Sequence, residues 1–411
     1  MVFSQKFYRM LRLTTLLLML ILMGCGSDDS PFSEDATPTD DTSQTDDTSQ
    51  TDDTSEPTDS YTTTVDFDII LLVENEMKEA ITQEIQRGTA FSEVLNIAQT
   101  YGADGSFYHY NLTDGILSFS SYNFTEPTVI QMELSSGIHQ KRQGFFNIPT
   151  DGSRYVYGSG NKIITFYYDP AVDENYFYEV YDIPSGMASG PIEFEPWLQV
   201  NPFNQEFNFI KNNHLALFFD DGVSGINKRI IDLYNPENVH KLELPGVTGA
   251  EAILEDRYYI FQENQYLQYN LSEGIWEETV SGGDPIDSRF AKSTAYRLGA
   301  EMAYLEPAAP PTFFLYSPSI YNFETKTKRK FRPDALADAL EASDGYSLSR
   351  IHDRYINLEA EVVIYAYEYR AFDASGDTYE DRYAVAFVNY NDEIIEKIDV
   401  PYEVQDIFIK E

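Results

Sequence analysis

The feature that most narrows the possible folds is a short mark of punctuation that recurs along the chain. Strand-like runs end in an aromatic residue, a turn-forming Asn or Asp and an apolar residue, often with Gly three residues later. Tyr110-Asn111-Leu112 before Gly115, Tyr181-Asp182-Ile183 before Gly186 and Tyr269-Asn270-Leu271 before Gly274 are the fullest copies. Tyr234-Asn235, Tyr321-Asn322 and Tyr390-Asn391 are partial copies, and the stretch from Leu134 to Gly137 keeps only the tail. Asn and Asp tolerate the left-handed conformation and Gly supplies a positive φ, so each copy can close a hairpin. The runs between them, such as 163–169, 176–183, 214–220, 258–262, 361–369 and 382–390, are rich in Tyr, Phe, Val and Ile. Those residues suit a pleated, half-buried surface.

Outer hairpins placed near residues 135, 184, 235, 271, 323 and 391 lie 49, 51, 36, 52 and 68 residues apart. About 50 residues is the length of a four-stranded propeller blade with modest loops. The predicted fold is all-β: a β-propeller of seven four-stranded blades, with six as the alternative. The strand-like ends, 65–75 and 402–411, pair in one blade and close the ring, removing two exposed edges. Short helical insertions are also predicted. Met77, Ile81 and Ile85 fall at helical spacing and predict a helix over 77–86. After Gly88 the pattern fits a helix and an outer strand equally. A second helix is predicted over 334–342, with Pro333 as starter and Leu336 and Leu340 on one face.

The two ends of the repeat region have different characters. Residues 1–24 carry Lys6, Arg9 and Arg12 ahead of an apolar run from Leu13 to Met23, the layout of a secretory signal. The run closes on Leu22-Met23-Gly24-Cys25, which resembles a lipobox, and Cys25 is the only cysteine in 411 residues. That resemblance implies cleavage before Cys25 and attachment of lipid to its thiol. With no second cysteine there is no disulfide to form. Residues 26–64 contain twelve acidic residues, no Lys or Arg and the repeat TDDTSQ, a composition that cannot bury a core and serves as an extended, self-repelling tether. The predicted domains are therefore signal peptide 1–24, lipidated tether 25–64 and propeller 65–411.

Gly26 rather than Asp follows the cysteine, which by resemblance to the enterobacterial sorting rule places the anchor in the outer membrane. Ser27-Asp28-Asp29 resembles, one residue out of place, the acidic surface-export signal of Bacteroidota lipoproteins, so the domain faces either the periplasm or the cell surface.

Beyond signal and tether, 56 acidic residues face 25 basic ones, a net charge of −31. A domain this acidic does not bind nucleic acid or an anionic bilayer through its general field. There is no HExxH, CxxC, Walker loop, G-x-S-x-G or G-x-G-x-x-G, so no metal and no cofactor are expected and no catalytic residue is nominated. Propellers bind at the mouth of the axial channel, near the residues that enter the innermost strands. Arg154, Trp197, Arg289, Arg350 and His352 lie at such entries and are the candidate ligand-binding residues. Arginines gathered there would suit an anionic ligand, and Trp197 would suit a planar one such as a sugar.

In signal, tether and repeat texture the chain resembles the propeller lipoproteins of Bacteroidota, a group often encoded near outer-membrane transporters. The resemblance implies architecture and location. The readings it leaves are a membrane-anchored binding module that captures a small molecule or glycan for a transporter, an envelope docking or assembly factor, and a carbohydrate-active enzyme with a site assembled across blades. The anchor is directly testable: Cys25→Ser should abolish incorporation of labelled palmitate and release the protein from the membrane fraction, and labelling that persists would refute lipidation.

Overall fold

Strands that lie between neighbours on both faces lose the in–out alternation and become apolar throughout. Ile69 to Val73 and the strand Ala80–Ile85 are buried without a break. Each is sandwiched between sheets, which is the packing of radial blades. The computed structural model describes residues 66–410 apart from 87–91, 103–106, 122–127, 145–153, 169–175, 195–208, 219–224, 246–248, 263, 287–294, 308–315, 345–346 and 373–378. The predicted signal peptide, Cys25 and the predicted tether lie outside them.

Seven antiparallel sheets follow one another as blades, each built on four strand positions. Blades 1 to 6 begin with the inner strands Phe107–Thr113, Arg154–Ser159, Phe209–Lys211, Ala250–Leu254, Tyr296–Leu298 and Ser347–Asn357. In each, the next three positions step outwards in chain order. Blades 2 and 4 split the outermost position into two pieces. Blade 7 is made from both ends of the domain: Glu403–Lys410 is its inner strand, and Asp68–Glu74, Ala80–Ile85 and Ser92–Asn96 follow outwards. The ring therefore has seven blades and is closed by antiparallel pairing of Asp68–Glu74 with Glu403–Lys410. Among the described residues no helix is long and apolar enough to cross a membrane.

The predicted helix over 77–86 is not formed. Asn75 to Glu79 make a tight turn capped by the Asn75 side chain, and Ala80–Ile85 is a strand. The spacing misled because Ile81 and Ile85 are four apart, which is one helical turn and also two pleats of a strand. Met77, the first member of the supposed stripe, is 70% exposed. After Gly88 the strand Ser92–Asn96 precedes a short helix, Ile97–Tyr101, capped by the Asn96 side chain. The second helix is present as Pro333–Asp344, with Leu336 buried.

The punctuation has a structural meaning. In blade 2, Asp182 ends the third strand, its side chain accepts the amide of Ser185, and the Gly186 amide donates back to the Asp182 carbonyl at 2.9 Å. Asn270 with Gly274 repeats this geometry, and in blade 5 Lys326, at φ 58°, takes the position that Gly fills elsewhere. The apolar residue after the Asp or Asn ties the outer turn to the inner one. Ile183, Leu233, Leu271 and Phe323 donate their amides to Asn161, Asn213, Asp256 and Ala300, at 2.8–3.0 Å. Two partial copies are shifted: the structural equivalents are Asp232-Leu233, two residues before Tyr234-Asn235, and Asn389-Tyr390, one residue before Tyr390-Asn391. Tyr110-Asn111-Leu112 belongs to the inner hairpin of blade 1, whose outer turn is Leu134 to Gly137.

All these hairpins sit on one face of the ring. The opposite face carries the connections between blades and those between second and third strands. Blade-to-blade contact is close: a Cβ built on Gly158 of blade 2 would lie 2.7 Å from Ser118 Cβ and 2.8 Å from Val129 Cγ1 of blade 1. Gly158→Ala should therefore destabilise the fold by about 1–3 kcal/mol in denaturant unfolding, the cost of overpacking. A neutral result would mean that the blade 1–2 contact can slide.

Candidate functional site

An inner strand offers a sheet partner on one edge only, so its other edge and its bulges decide what faces the axis. The inner strands of blades 2 to 5 pair without a register shift. Those of blades 6, 7 and 1 do not: Ser349 and His352 are extra residues in blade 6, Gln405 in blade 7 and Tyr108 in blade 1. A bulge breaks the ladder and re-aims side chains, which is why such residues gather at binding sites. Blade 6 is also tall, with three strands of 11 residues each where the other inner strands have three to eight.

The bulge at His352 turns its imidazole towards the seam with blade 7. Nδ1 lies 3.1 Å from Glu403 Oε1, and Nε2 lies 3.5 Å from Glu368 Oε2. The side chain is only 5% exposed and packs edge-on to Tyr383. Burial lowers the His352 pKa, against the pull of Glu403 and Glu368 in the other direction. A neutral imidazole has one N–H, and with it on Nδ1 towards Glu403 the Nε2 lone pair faces a second carboxylate and makes no hydrogen bond. Nε2 is thus a buried acceptor turned towards Glu368, within the seam and away from solvent. Glu74, paired with Lys78 at 2.7 Å, stands at the same end of the neighbouring strand, opposite Glu403.

One residue further on, Asp353 crosses the seam. Its Oδ2 accepts the Ile407 amide at 2.9 Å, an amide that Asp406 Oδ1 also accepts at 2.9 Å. The two carboxyl groups bond to each other, and burial raises both pKa values, that of Asp353 to about 6 and that of Asp406 further. Two such groups in contact resist joint ionisation, so the pair keeps a proton at a pH where isolated carboxyls have lost theirs. Burial, with help from Asp406 and Glu74, lifts the Tyr110 hydroxyl of blade 1 to about 12. His109, on the same strand, is pushed down to about 4 by burial and stays neutral.

Of the candidate residues, the structure brings Arg350 and His352 together in this sector. Arg350 is exposed and makes no ion pair or hydrogen bond among the described residues. Arg154 begins the inner strand of blade 2, but its side chain lies outside the description. Trp197 and Arg289 also lie outside the described residues. The sequence reading missed Asp353, Glu368, Glu403 and Asp406. Nothing near them in the chain marks them among 68 acidic residues. No group of three or more His, Cys, Asp or Glu side chains among the described residues is arranged to hold a metal ion.

No family model matches the chain, and no curated protein matches it in sequence. Several solved structures are similar in chain path. TolB from Acinetobacter baumannii aligns with a TM-score of 0.39 at 12% identity, over 84% of this chain and 66% of that one. An uncharacterized protein from Listeria monocytogenes aligns at 0.42 and 10%, over 77% and 91%. An oligogalacturonate lyase in complex with manganese aligns at 0.43 and 9%, over 79% and 92%. Likenesses this distant assign no ligand, partner or reaction to this chain.

The carboxyl pair has a measurable consequence. A carboxyl whose folded-state pKa is raised contributes stability at acid pH and loses it as pH rises through that value. Asp406→Asn keeps the shape and removes one titrating group. Its melting temperature should exceed that of the wild type at pH 8, and the gap should shrink towards pH 5; a gap independent of pH would show that the two carboxyls do not share a proton. His109 titrates in both proteins and cancels in the comparison.

Proposed function

We propose that this chain is a lipid-anchored, extracytoplasmic binding module that meets its ligand at the channel mouth formed by blades 6, 7 and 1. The observation that carries this reading is the concentration of inner-strand bulges there, beside the one blade that stands tall. Four regular inner strands suffice to build the wall, so the distorted ones serve something other than the fold. The ligand is a small charged molecule or a glycan. Arg350 offers an exposed, unpaired guanidinium in a domain of net charge −31, and His352, bonded to Glu403, fixes the bulge beside it. The anchor at Cys25 and the acidic tether would hold this mouth away from the outer membrane, where an outer-membrane transporter or another envelope protein is the partner to receive what it captures.

A second reading has one specific observation in its favour. The Asp353–Asp406 pair retains a proton next to His352, which is the raw material of general acid–base chemistry in a carbohydrate-active enzyme. Binding ranks first because Asp353 is already engaged in holding the Ile407 amide and thereby the blade 6–7 seam.

A panel of charged metabolites and acidic and neutral oligosaccharides, scored by thermal shift on the full chain, separates the two. Ligands that stabilise the wild type should bind Arg350→Ala and His352→Gln about tenfold more weakly, the loss of a charge-assisted hydrogen bond. Arg350→Ala, at an exposed position, should keep the wild-type melting temperature in the absence of ligand. Turnover of a bound glycan that disappears in Asp406→Asn would establish the enzyme instead. Stabilising ligands indifferent to both substitutions would remove the mouth from consideration.

A further inference from the structure

On the opposite, hairpin face, a cavity of about 690 Å³ opens between blades 5 and 6. That is the size of a small-molecule site rather than of a packing defect. The first hairpins of the two blades contribute Glu301 and Glu361. The ends of the third strands contribute Asn322 and Tyr390, and the outer strand of blade 5 contributes Arg329.

Arg329 is the anomaly. Its neighbours on either side, Lys328 and Lys330, both reach Glu306 at 3.2 Å. Side chains alternate along a strand, so Arg329 points the other way, into the seam with blade 6. There it makes no ion pair and no hydrogen bond among the described residues, in a domain where acids outnumber bases by more than two to one. It is held instead by two rings, 5.0 Å from the Phe331 centroid and 5.1 Å from that of Tyr390. Stacking of this kind fixes the plane of a guanidinium and leaves its N–H fork unspent. Arg329 is itself exposed, whereas the hydroxyl of Tyr390 behind it is buried without a partner. Burial, reinforced by Glu301 and Glu361, raises its pKa, so it remains a hydrogen-bond donor.

Acceptors are available alongside these donors. Glu301 is met only distantly by Asn322 Nδ2, at 3.5 Å. The Asn322 Oδ1 is consumed by the turn amides of Glu324 and Thr325. The cavity thus presents one planar cation, backed by an aromatic ring, and carboxylate acceptors. A bare anion such as phosphate would engage Arg329 and be repelled by Glu301 and Glu361. A neutral sugar would satisfy the carboxylates and leave Arg329 idle. Only a ligand with both a carboxylate and hydroxyl groups uses the whole set.

We propose that the groove between blades 5 and 6 is a second binding site, for a hydroxylated carboxylate of the sugar-acid class, with Arg329 taking the carboxylate and Glu301 and Glu361 the hydroxyls. It is independent of the mouth on the other face. The test is calorimetric titration of the full chain with glucuronate, glucose and inorganic phosphate. Glucuronate should bind at least about tenfold more tightly than either of the others. Arg329→Ala should weaken it about tenfold, and Thr327→Glu, which adds a carboxylate to the cavity wall at an exposed position, should do the same without shifting the melting temperature. Arg350→Ala, on the other face, should leave it unchanged. The proposal is overturned if glucuronate binds no better than glucose, if phosphate binds better, if Thr327→Glu binds like the wild type, or if Arg350→Ala is the variant that loses binding.

Discussion

A ring of sheets is only as sound as its last seam, and here that seam is not covalent. Glu403–Lys410 slides in as the inner strand of blade 7, pairing with Asp68–Glu74 through a ladder that spans both strands. The strand brings Val404 and Ile407 into an apolar cluster shared with blade 6, and Phe408 into one shared with blade 1. Lys410 reaches Glu84 two strands away in the same blade. Without the C-terminal strand, Asp68–Glu74 would present an open edge and two blade faces would lose their cover, the exposure that leads to aggregation. Every other blade is closed by local hairpins, so the global fold depends on this one long-range pairing.

The same seam is where regularity breaks down. Asp353 of blade 6 accepts an amide on the inner edge of blade 7, and the bulges at His352 and Gln405 lie on either side of that contact. Closure and the candidate site therefore share residues. A half-buried carboxyl pair is a costly way to join two strands, since each charge resists desolvation. A shared proton lets the two carboxyls stay in contact there while both face the Ile407 amide. The contrast with the seam between blades 3 and 4 is instructive: there the buried Lys228 of blade 3 meets Glu251 of blade 4 at 2.9 Å, a matched pair of opposite charges that needs no extra proton.

The two faces of the ring divide their labour for a reason visible in the turns. On the hairpin face, Asx side chains and positive-φ residues tie outer turns to inner ones, so its grooves are framed by fixed backbone. The gap between blades 5 and 6 is one of these, and its Arg329 is oriented by aromatic stacking rather than by a carboxylate. On the other face blade 6, with its 11-residue strands, rises beside the mouth.

How much of this was written in the chain can be judged residue by residue. Gly186 and Gly274, three residues after an apolar position, marked true outer turns because the requirement for positive φ is local. The roughly 50-residue spacing then fixed blade length, and the two unpaired strand-like ends fixed how the ring closes. Ile81 and Ile85 misled because a spacing of four serves helix and strand alike, and only the sheets on either side of Ala80–Ile85 decide between them. Arg350 and His352 were legible as strand entries, since that follows from topology. Asp353, Glu368, Glu403 and Asp406 were not: they lie on different strands, and their chemistry exists only once the ring is closed. The sequence by itself determined the sheets, their order and their turns, all matters of near neighbours. Which carboxyls share a proton, where the inner strands bulge and which arginine is left without a partner were decided by the packing of blade against blade, because those are contacts between parts of the chain that have no local knowledge of one another.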